Sequence, residues 1–332
     1  MLCVVTAVVA IAAFSVWSFL FSTTVPAAPG QPVQIEIPKG FGSVEIADLL
    51  ANAGVVGNAN MFRLRLRLSE GSGPLKAGVY DLTTRMDYDA VIARLREGPP
   101  IHYATVTIPE GWTIDQVAKR VEEKVGIPSA QFAEVAKTGA RQFDYPFLAS
   151  VPDGSLEGYL FPKTYRVRLG SDAHAVIDLM LQQFGRETAG LDLKYARSRG
   201  LTMHDVATIA SMIERETKVQ RDRPLVSSVI YNRLQRGMLL EIDATVQYVL
   251  GNKPKLTYKD LGVRSKYNTY LYKGLPPGPI ANPGFASLQA AASPATTGYL
   301  YYVLTHKDGT HTFATTREEF LKLKEQARRG LK

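Results

Sequence analysis

The hydrophobic and polar positions divide the chain into an uncharged start and a long amphipathic remainder. Residues 1–21 contain no charged side chain, and the first charge in the chain is Glu36. An apolar run of this length can cross a bilayer as a helix, so we predict a single-pass membrane anchor at 1–21. A linker rich in Pro, Thr, Ala and Gly follows at 22–32. A cleaved signal peptide is the alternative, because small residues follow the run at 25–28.

Beyond the linker, apolar residues follow both strand spacing and helix spacing, which predicts an α+β fold. A strand, an Ile-Pro-x-Gly turn and an amphipathic helix occur twice, with the turns at 37–40 and 108–111. The repetition indicates a small α+β module in two copies, and two unrelated strand–turn–helix units are the alternative. We therefore predict an α+β region at 33–150 and a mainly helical domain with a small β-hairpin at 151–332.

One predicted helix, at 206–216, carries the strongest candidate for chemistry. Its apolar stripe runs from Val206 to Ile213, and two glutamates follow, Glu214 and Glu216. At about 100° per residue, Glu216 lies slightly nearer to the stripe than Glu214 does. Burial disfavours the charged form of a carboxyl group, so Glu216 is the better candidate for a general acid, and Glu214 is predicted to flank the site. The alternative is that both glutamates are solvated surface charges.

A second unusual stretch follows this helix along the chain. Seven of the eleven residues at 274–284 are Pro or Gly, and the segment 266–270 just before them contains two tyrosines and Asn268. Prolines stiffen the backbone, aromatic rings can stack on sugar faces, and amides can bind sugar hydroxyl and acetamido groups. The stretch predicts a groove for a carbohydrate, and an ordinary rigid loop is the alternative.

Charge and cysteine usage restrict the partners and exclude several kinds of site. The chain has 39 basic and 31 acidic residues, a net charge of +8 that suits a polyanionic partner. We predict no nucleic-acid partner, because no run of Lys and Arg with interleaved aromatic residues occurs. The one cysteine, Cys3, excludes an intrachain disulfide and a cysteine zinc site. His306 and His311 lack further ligands at metal spacing, so we predict no metal, and the absence of a nucleotide-binding glycine motif predicts no cofactor.

The motifs that follow the linker, taken in order, resemble those of the YceG-like endolytic murein transglycosylases. The matching segments are AGVY at 77–80, the 157–165 stretch, ASMIERET at 210–217, VIYNRL at 229–234, DATV at 243–246, YNTY at 267–270 and GLPPGPI at 274–280. Two residues depart from the family pattern: Lys163 replaces an Asp, and Ala244 replaces a Pro. Neither belongs to the Glu-Thr unit, so these departures concern substrate contacts.

The resemblance implies an enzyme of the inner membrane with a LysM-like module before a lysozyme-like catalytic domain in the periplasm. The family cuts nascent peptidoglycan strands internally and leaves 1,6-anhydro-muramoyl ends, and peptidoglycan synthases are expected partners. The essential acid of the family corresponds to Glu216, and Thr217 could orient it. Further predicted substrate-binding residues are Asn232, Tyr248, Asn268, Tyr270 and Glu157. The alternatives are a wall-binding protein without activity, and a hydrolase that uses a second carboxylate such as Glu157 or Glu241.

Overall fold

The computed structural model describes residues 28–69 and 73–330, which form two compact units that divide between His102 and Tyr103. Helices and short strands are mixed in both units, and a small hairpin lies near the C-terminus, which confirms the predicted α+β class. The predicted anchor at 1–21 and most of the linker lie outside the described residues. None of the helices within the two described ranges is long and apolar enough to cross a membrane.

The first unit packs three helices on a two-stranded antiparallel sheet. Its elements are β1 (Pro32–Ile37), α1 (Ser43–Asn52), α2 (Ala59–Leu68), β2 (Gly78–Thr83) and α3 (Tyr88–Glu97). Alternate residues of β1, Ile35 and Ile37, are buried in its core, as period-two spacing requires. The Asn58 side chain accepts from an amide in the first turn of α2, and Asp87 caps α3 in the same way, so both helices begin at local polar residues.

The second unit contains most of the helices and the hairpin. Its elements are β3 (Tyr103–Thr107), α4 (Ile114–Val125), α5 (Ser129–Thr138), β4 (Thr164–Arg168), α6 (Ala173–Thr188), α7 (Lys194–Ser198), α8 (Met203–Glu216), α9 (Arg223–Gln235), α10 (Asp243–Val249), α11 (Phe285–Ala292), β5 (Tyr301–Leu304), β6 (His311–Ala314) and α12 (Arg317–Gly330). Strands β3 and β4 pair antiparallel, and β5 and β6 form the hairpin.

Helix α8 is the central helix of the second unit. Every residue from Val206 to Ile213 is buried, and α11 packs closely along it. The Thr202 side chain accepts from the amide of Asp205, whose carboxylate in turn accepts from the amide of Thr202. This capping box fixes the start of the helix, and its buried length fixes the position of its last residue, Glu216.

The boundary between the units lies well before the predicted boundary at 150/151. Strand β3 pairs with β4, with Val106 opposite Tyr165, so residues 103–150 share a core with the helical unit. The two Ile-Pro-x-Gly turns consequently lie in different units, although Gly40 and Gly111 both adopt positive φ. The difference arises because the partner of β3 lies far along the chain, and hydrophobic spacing does not reveal strand pairing over that distance.

Asn282, at the end of the Pro/Gly-rich stretch, joins three separate segments of the second unit. Its Oδ1 accepts from the amides of Gly158 (3.0 Å) and Leu160 (2.9 Å). Its Nδ2 donates to the carbonyl of Trp112 (2.9 Å) and to Glu157 (3.1 Å). The side chain is fully buried, so water cannot replace these partners.

We expect Asn282→Ala to destabilise the second unit by roughly 2–4 kcal/mol, because it leaves several buried polar groups without partners. Chemical denaturation followed by circular dichroism measures the change. Gln326→Ala is the matched control, since it removes an exposed amide on α12 and should change stability by less than about 0.5 kcal/mol. Equal stability of the two variants would contradict the role given to Asn282.

Candidate active site

Glu216 is the last residue of α8 and its side chain is half-buried. The hydroxyl of Tyr302, on β5, donates to its carboxylate at 3.1 Å. Burial raises the pKa of Glu216 to about 7, and the negative charge of Asp243 acts in the same direction. The Tyr302 hydrogen bond, the amide of Ala244 and the charge of Arg215 lower it, but burial outweighs them. Glu216 can therefore hold a proton near neutral pH and release it to a bound molecule.

The carboxyl group of Glu216 opens into a groove of about 310 Å³ in the second unit. Its lining residues are Glu216, Arg233, Leu240, Glu241, Asp243, Tyr270, Tyr302, Phe320 and Lys324. They come from the end of α8, from α9, from the start of α10, from β5, from α12 and from the loops that contain residues 240–241 and 270. The groove thus combines carboxyl groups, cations and aromatic rings, which is the mixture that a polar, ring-shaped ligand requires.

Three other charged residues of the groove, Asp243, Arg233 and Glu241, have hydrogen-bond partners close by. The Tyr270 hydroxyl donates to Asp243 at 2.5 Å. Arg233 is buried and donates to Glu241 at 3.1 Å. The same guanidinium also donates to the carbonyls of Leu240 (2.8 Å) and Leu300 (2.6 Å). Arg233 therefore fixes the floor of the groove and compensates the charge of Glu241.

Glu214 has a different environment from Glu216. Its carboxylate pairs with Arg223 at 3.1 Å and accepts from the amide of Gly284 (3.0 Å) and the hydroxyl of Ser287 (2.8 Å). Only 7% of the Glu214 side chain is exposed. Glu214 therefore ties the end of α8 to the start of α11, whereas Glu216 faces the groove.

Tyr302 is itself contacted by His311, which forms a buried pair with Asp222. His311, on β6, meets the ring edge-on with 5.4 Å between the ring centres. Asp222 accepts from the amide of His311 at 2.8 Å and lies 3.1 Å from its Nδ1. These contacts join the hairpin to the segment that precedes α9, so the hydroxyl of Tyr302 has a fixed position beside Glu216.

Two residues predicted from the sequence to bind substrate, Thr217 and Asn268, do not line the groove but stabilise segments that form it. The hydroxyl of Thr217 donates to the carbonyl of Ile213 at 2.8 Å, so it ends α8 and is not bonded to the Glu216 carboxylate. Asn268 is fully buried and accepts from the amide of Tyr270 at 2.9 Å. It thereby shapes the turn that places the Tyr270 ring in the groove.

Three further predicted residues do not line the groove. The Asn232 amide donates to the carbonyls of Thr297 and Tyr299, both at 2.9 Å. Tyr248 donates to Glu157 at 3.5 Å, and Glu157 is buried against the amide that starts α4. Burial raises the pKa of Glu157 to about 8. Asn232 thus organises the approach to β5, and the Glu157–Tyr248 pair belongs to the Asn282 network.

Of the residues predicted from the sequence, the groove brings together Glu216 and Tyr270. It adds several that the sequence reasoning did not choose as ligand-binding: Asp243, Tyr302, Arg233, Phe320 and Lys324. Asp243 stands in the DATV motif, so a signal for it was present in the sequence. Tyr302 has none, because three tyrosines lie at 299–302 and only the hairpin geometry distinguishes them.

Comparisons with known proteins agree on one family. The model of the YceG-like family matches residues 35–326. A Bacillus subtilis (strain 168) protein named endolytic murein transglycosylase is 34% identical over 310 residues, 89% of this chain and 84% of that one. A protein of the same name from Streptococcus pneumoniae (strain ATCC BAA-255 / R6) is 32% identical, and the match covers 86% of this chain and 57% of the relative.

A solved structure gives the same result. The crystal structure of a YceG-like protein from Listeria monocytogenes superimposes with a TM-score of 0.60 at 34% identity. The match covers 89% of this chain and 99% of that one. On the family match and these identities, the chain belongs to the YceG-like family.

Proposed function

We propose that this protein is an endolytic murein transglycosylase that cuts peptidoglycan strands between N-acetylmuramic acid and N-acetylglucosamine. The observation that carries the proposal is Glu216, a half-buried acid with a pKa of about 7 at the side of an open groove. Membership of the YceG-like family and the names of the relatives support the same activity.

In the proposed reaction, Glu216 acts first as acid and then as base. Its proton passes to the bridging oxygen as the bond from that oxygen to the muramoyl C1 breaks. The positive charge on the sugar ring is relieved when the muramoyl O6 hydroxyl bonds to C1, and the hydroxyl proton passes to the Glu216 carboxylate. One carboxyl group serves both steps because the nucleophile belongs to the substrate, whereas paired-carboxylate glycosidases require two.

Tyr302 acts in this scheme as a positioning residue. Its hydrogen bond to one oxygen of Glu216 restricts the rotation of the carboxyl group, so that the group can face the bridging oxygen. The bond also opposes the effect of burial on the pKa of Glu216. Tyr302 thereby keeps the acid ready to release its proton.

The place of the enzyme in the cell is part of the same proposal. We propose that residues 1–21 anchor the chain in the inner membrane and that the catalytic domain, lysozyme-like in its fold, lies in the periplasm. The region after the linker is proposed to be LysM-like and to bind glycan, and peptidoglycan synthases are proposed partners. The apolar run at 1–21 and the family resemblance support these assignments.

We expect Glu216→Gln to lower the rate of anhydro-end formation by about 10²–10⁴-fold without loss of folding, because the amide cannot donate a proton as an acid does. Purified peptidoglycan is incubated with each protein, and the products are identified by liquid chromatography and mass spectrometry. The exposed Glu134, on α5, gives the matched control Glu134→Gln, which should retain the wild-type rate.

The product ends distinguish the alternatives. Reducing ends from the wild-type protein would indicate a hydrolase. Of the two candidates for its second carboxylate, Glu241 lines the groove and Glu157 does not. Binding without any cleavage would indicate a wall-binding protein. Full activity of Glu216→Gln would exclude Glu216 as the acid.

We expect kcat/KM to fall as pH rises through about 7, because Glu216 must be protonated in the free enzyme. Rates at saturating and limiting substrate between pH 5 and 9 measure the profile. A profile that is flat across this range would contradict the assignment of the acid.

The stability of the folded protein should also decrease as pH rises. The pKa of Glu216 is raised from 4.5 to about 7, so its contribution to folding is complete below pH 4.5 and is lost as pH rises through 7. Relative to Glu216→Gln, the wild-type protein should lose at most about 3 kcal/mol over that interval. Glu157 titrates in both proteins, so the difference between their melting curves isolates Glu216. A difference that does not change with pH would contradict the raised pKa.

A further inference from the structure

We propose that Asp243 is a second catalytic residue of this site and that its carboxylate stabilises the positive charge on the muramoyl ring in the transition state. The inference rests on the proposed transglycosylase function and goes beyond the single-carboxylate scheme given above. It concerns charge only, since both proton transfers remain with Glu216 and no bond forms to Asp243.

The position of Asp243 is fixed from two sides. It is the first residue of α10, it is exposed, and it lines the same groove as Glu216. The hydroxyl of Tyr270 holds one oxygen of its carboxylate at 2.5 Å. The Tyr270 backbone is in turn bonded to the buried Asn268 at 2.9 Å. A carboxylate held in this way loses little freedom when a substrate binds.

Asp243 and Glu216 are also direct neighbours. The amide of Ala244, the residue after Asp243, bonds to Glu216, and the charge of Asp243 acts on Glu216. The two acids nevertheless have opposite surroundings, because Glu216 is half-buried beside Tyr302 and Asp243 is exposed. Two carboxyl groups in such contrasting environments suit one proton donor and one charged stabiliser.

The charges around the site leave Asp243 available for this role. Glu241, which also lines the groove, is paired with Arg233 at 3.1 Å. Within residues 28–69 and 73–330, no Lys, Arg or His lies within 4.0 Å of the Asp243 carboxylate in an ion pair. The other charged or titratable groups at the site are Arg215, Lys324, Tyr270 and Tyr302. Among the described residues, Asp243 is therefore an exposed carboxylate of the groove with which no Lys, Arg or His forms an ion pair.

The chemical step explains why such a charge is useful. The sugar ring carries positive charge only while the bond at C1 is breaking, so a fixed carboxylate nearby lowers the energy of the transition state more than that of the bound substrate. The same charge favours the protonated form of Glu216 before the reaction. Asp243 should consequently affect kcat more than KM.

The test compares Asp243→Asn with the wild-type full chain on purified peptidoglycan. Asparagine keeps the shape and can still accept from Tyr270, so the variant removes the charge alone. We expect kcat to fall on the order of 10²-fold with KM changed by less than about threefold, as for loss of a preorganised electrostatic group. We also expect the pH at which kcat/KM falls to move downward, because a like charge next to Glu216 is lost.

Two further variants make the outcome specific. Tyr270→Phe removes the hydrogen bond but keeps the charge of Asp243, so the falling limb of its pH profile should stay in place. Asp243→Glu keeps the charge and moves it by one methylene. The pH at which its kcat/KM falls should therefore stay unchanged, while its kcat is partly reduced. If Asp243→Asn fails to fold, Asp243→Glu becomes the test variant. A kcat equal to that of the wild-type protein would then overturn the proposal.

The failures are distinguishable from one another. A wild-type kcat for Asp243→Asn would overturn the proposal while leaving Glu216 as the acid. A reduced kcat with no change in the pH at which kcat/KM falls would do the same. Absence of cleavage by the wild-type chain would overturn the proposed function and the role of Asp243 with it. Conversion of the products to reducing ends in Asp243→Asn would also contradict a purely electrostatic role.

Discussion

The hydrogen bonds of the buried Asn282 side-chain amide are the interactions on which the second unit depends. The amide binds the 157–160 segment with its oxygen and the Trp112 turn with its nitrogen, so segments distant in sequence converge on the Pro/Gly-rich stretch. The stretch then leads directly into α11, which packs along α8. A rigid loop alone could not align these pieces, because prolines restrict the backbone but supply no donors. The amide provides both donors and acceptors at one buried point.

The end of α8 shows how the same residue type acquires two roles. Glu214 is surrounded by a cation, an amide and a hydroxyl, and it holds helices together. Glu216 lies two residues later, accepts from the Tyr302 hydroxyl and the Ala244 amide, has no ion-pair partner among the described residues and faces the groove. Burial with many partners stabilises a carboxylate, whereas burial with few partners favours its protonated form. The chemistry of the site therefore follows from how unevenly hydrogen-bond donors are distributed around one helical turn.

Local features of the fold could be predicted from the sequence, and long-range ones could not. Caps such as Thr202 and the apolar spacing of α8 determine helices within one segment, and the hairpin follows from two short strands. The pairing of β3 with β4 and the hydrogen bonds between Asp222 and His311 join distant segments, and no periodicity encodes them. Helical geometry favours Glu216 by a small margin. The polarity of Asn268 and Asn232 predicts ligand binding, but their side-chain amides donate to backbone carbonyls.

Helix α12 contributes residues to the lining of the groove, and substitutions in this helix can change that lining without changing Glu216. It packs on the hairpin through the stacked rings of Phe320 and Tyr301, 5.0 Å apart, and it contributes Phe320 and Lys324 to the groove. Most of its other residues are exposed, so substitutions there cost little folding energy. The lining that α12 gives to the groove can therefore change in shape and charge through substitutions in the last helix, while Glu216 keeps its position at the end of α8.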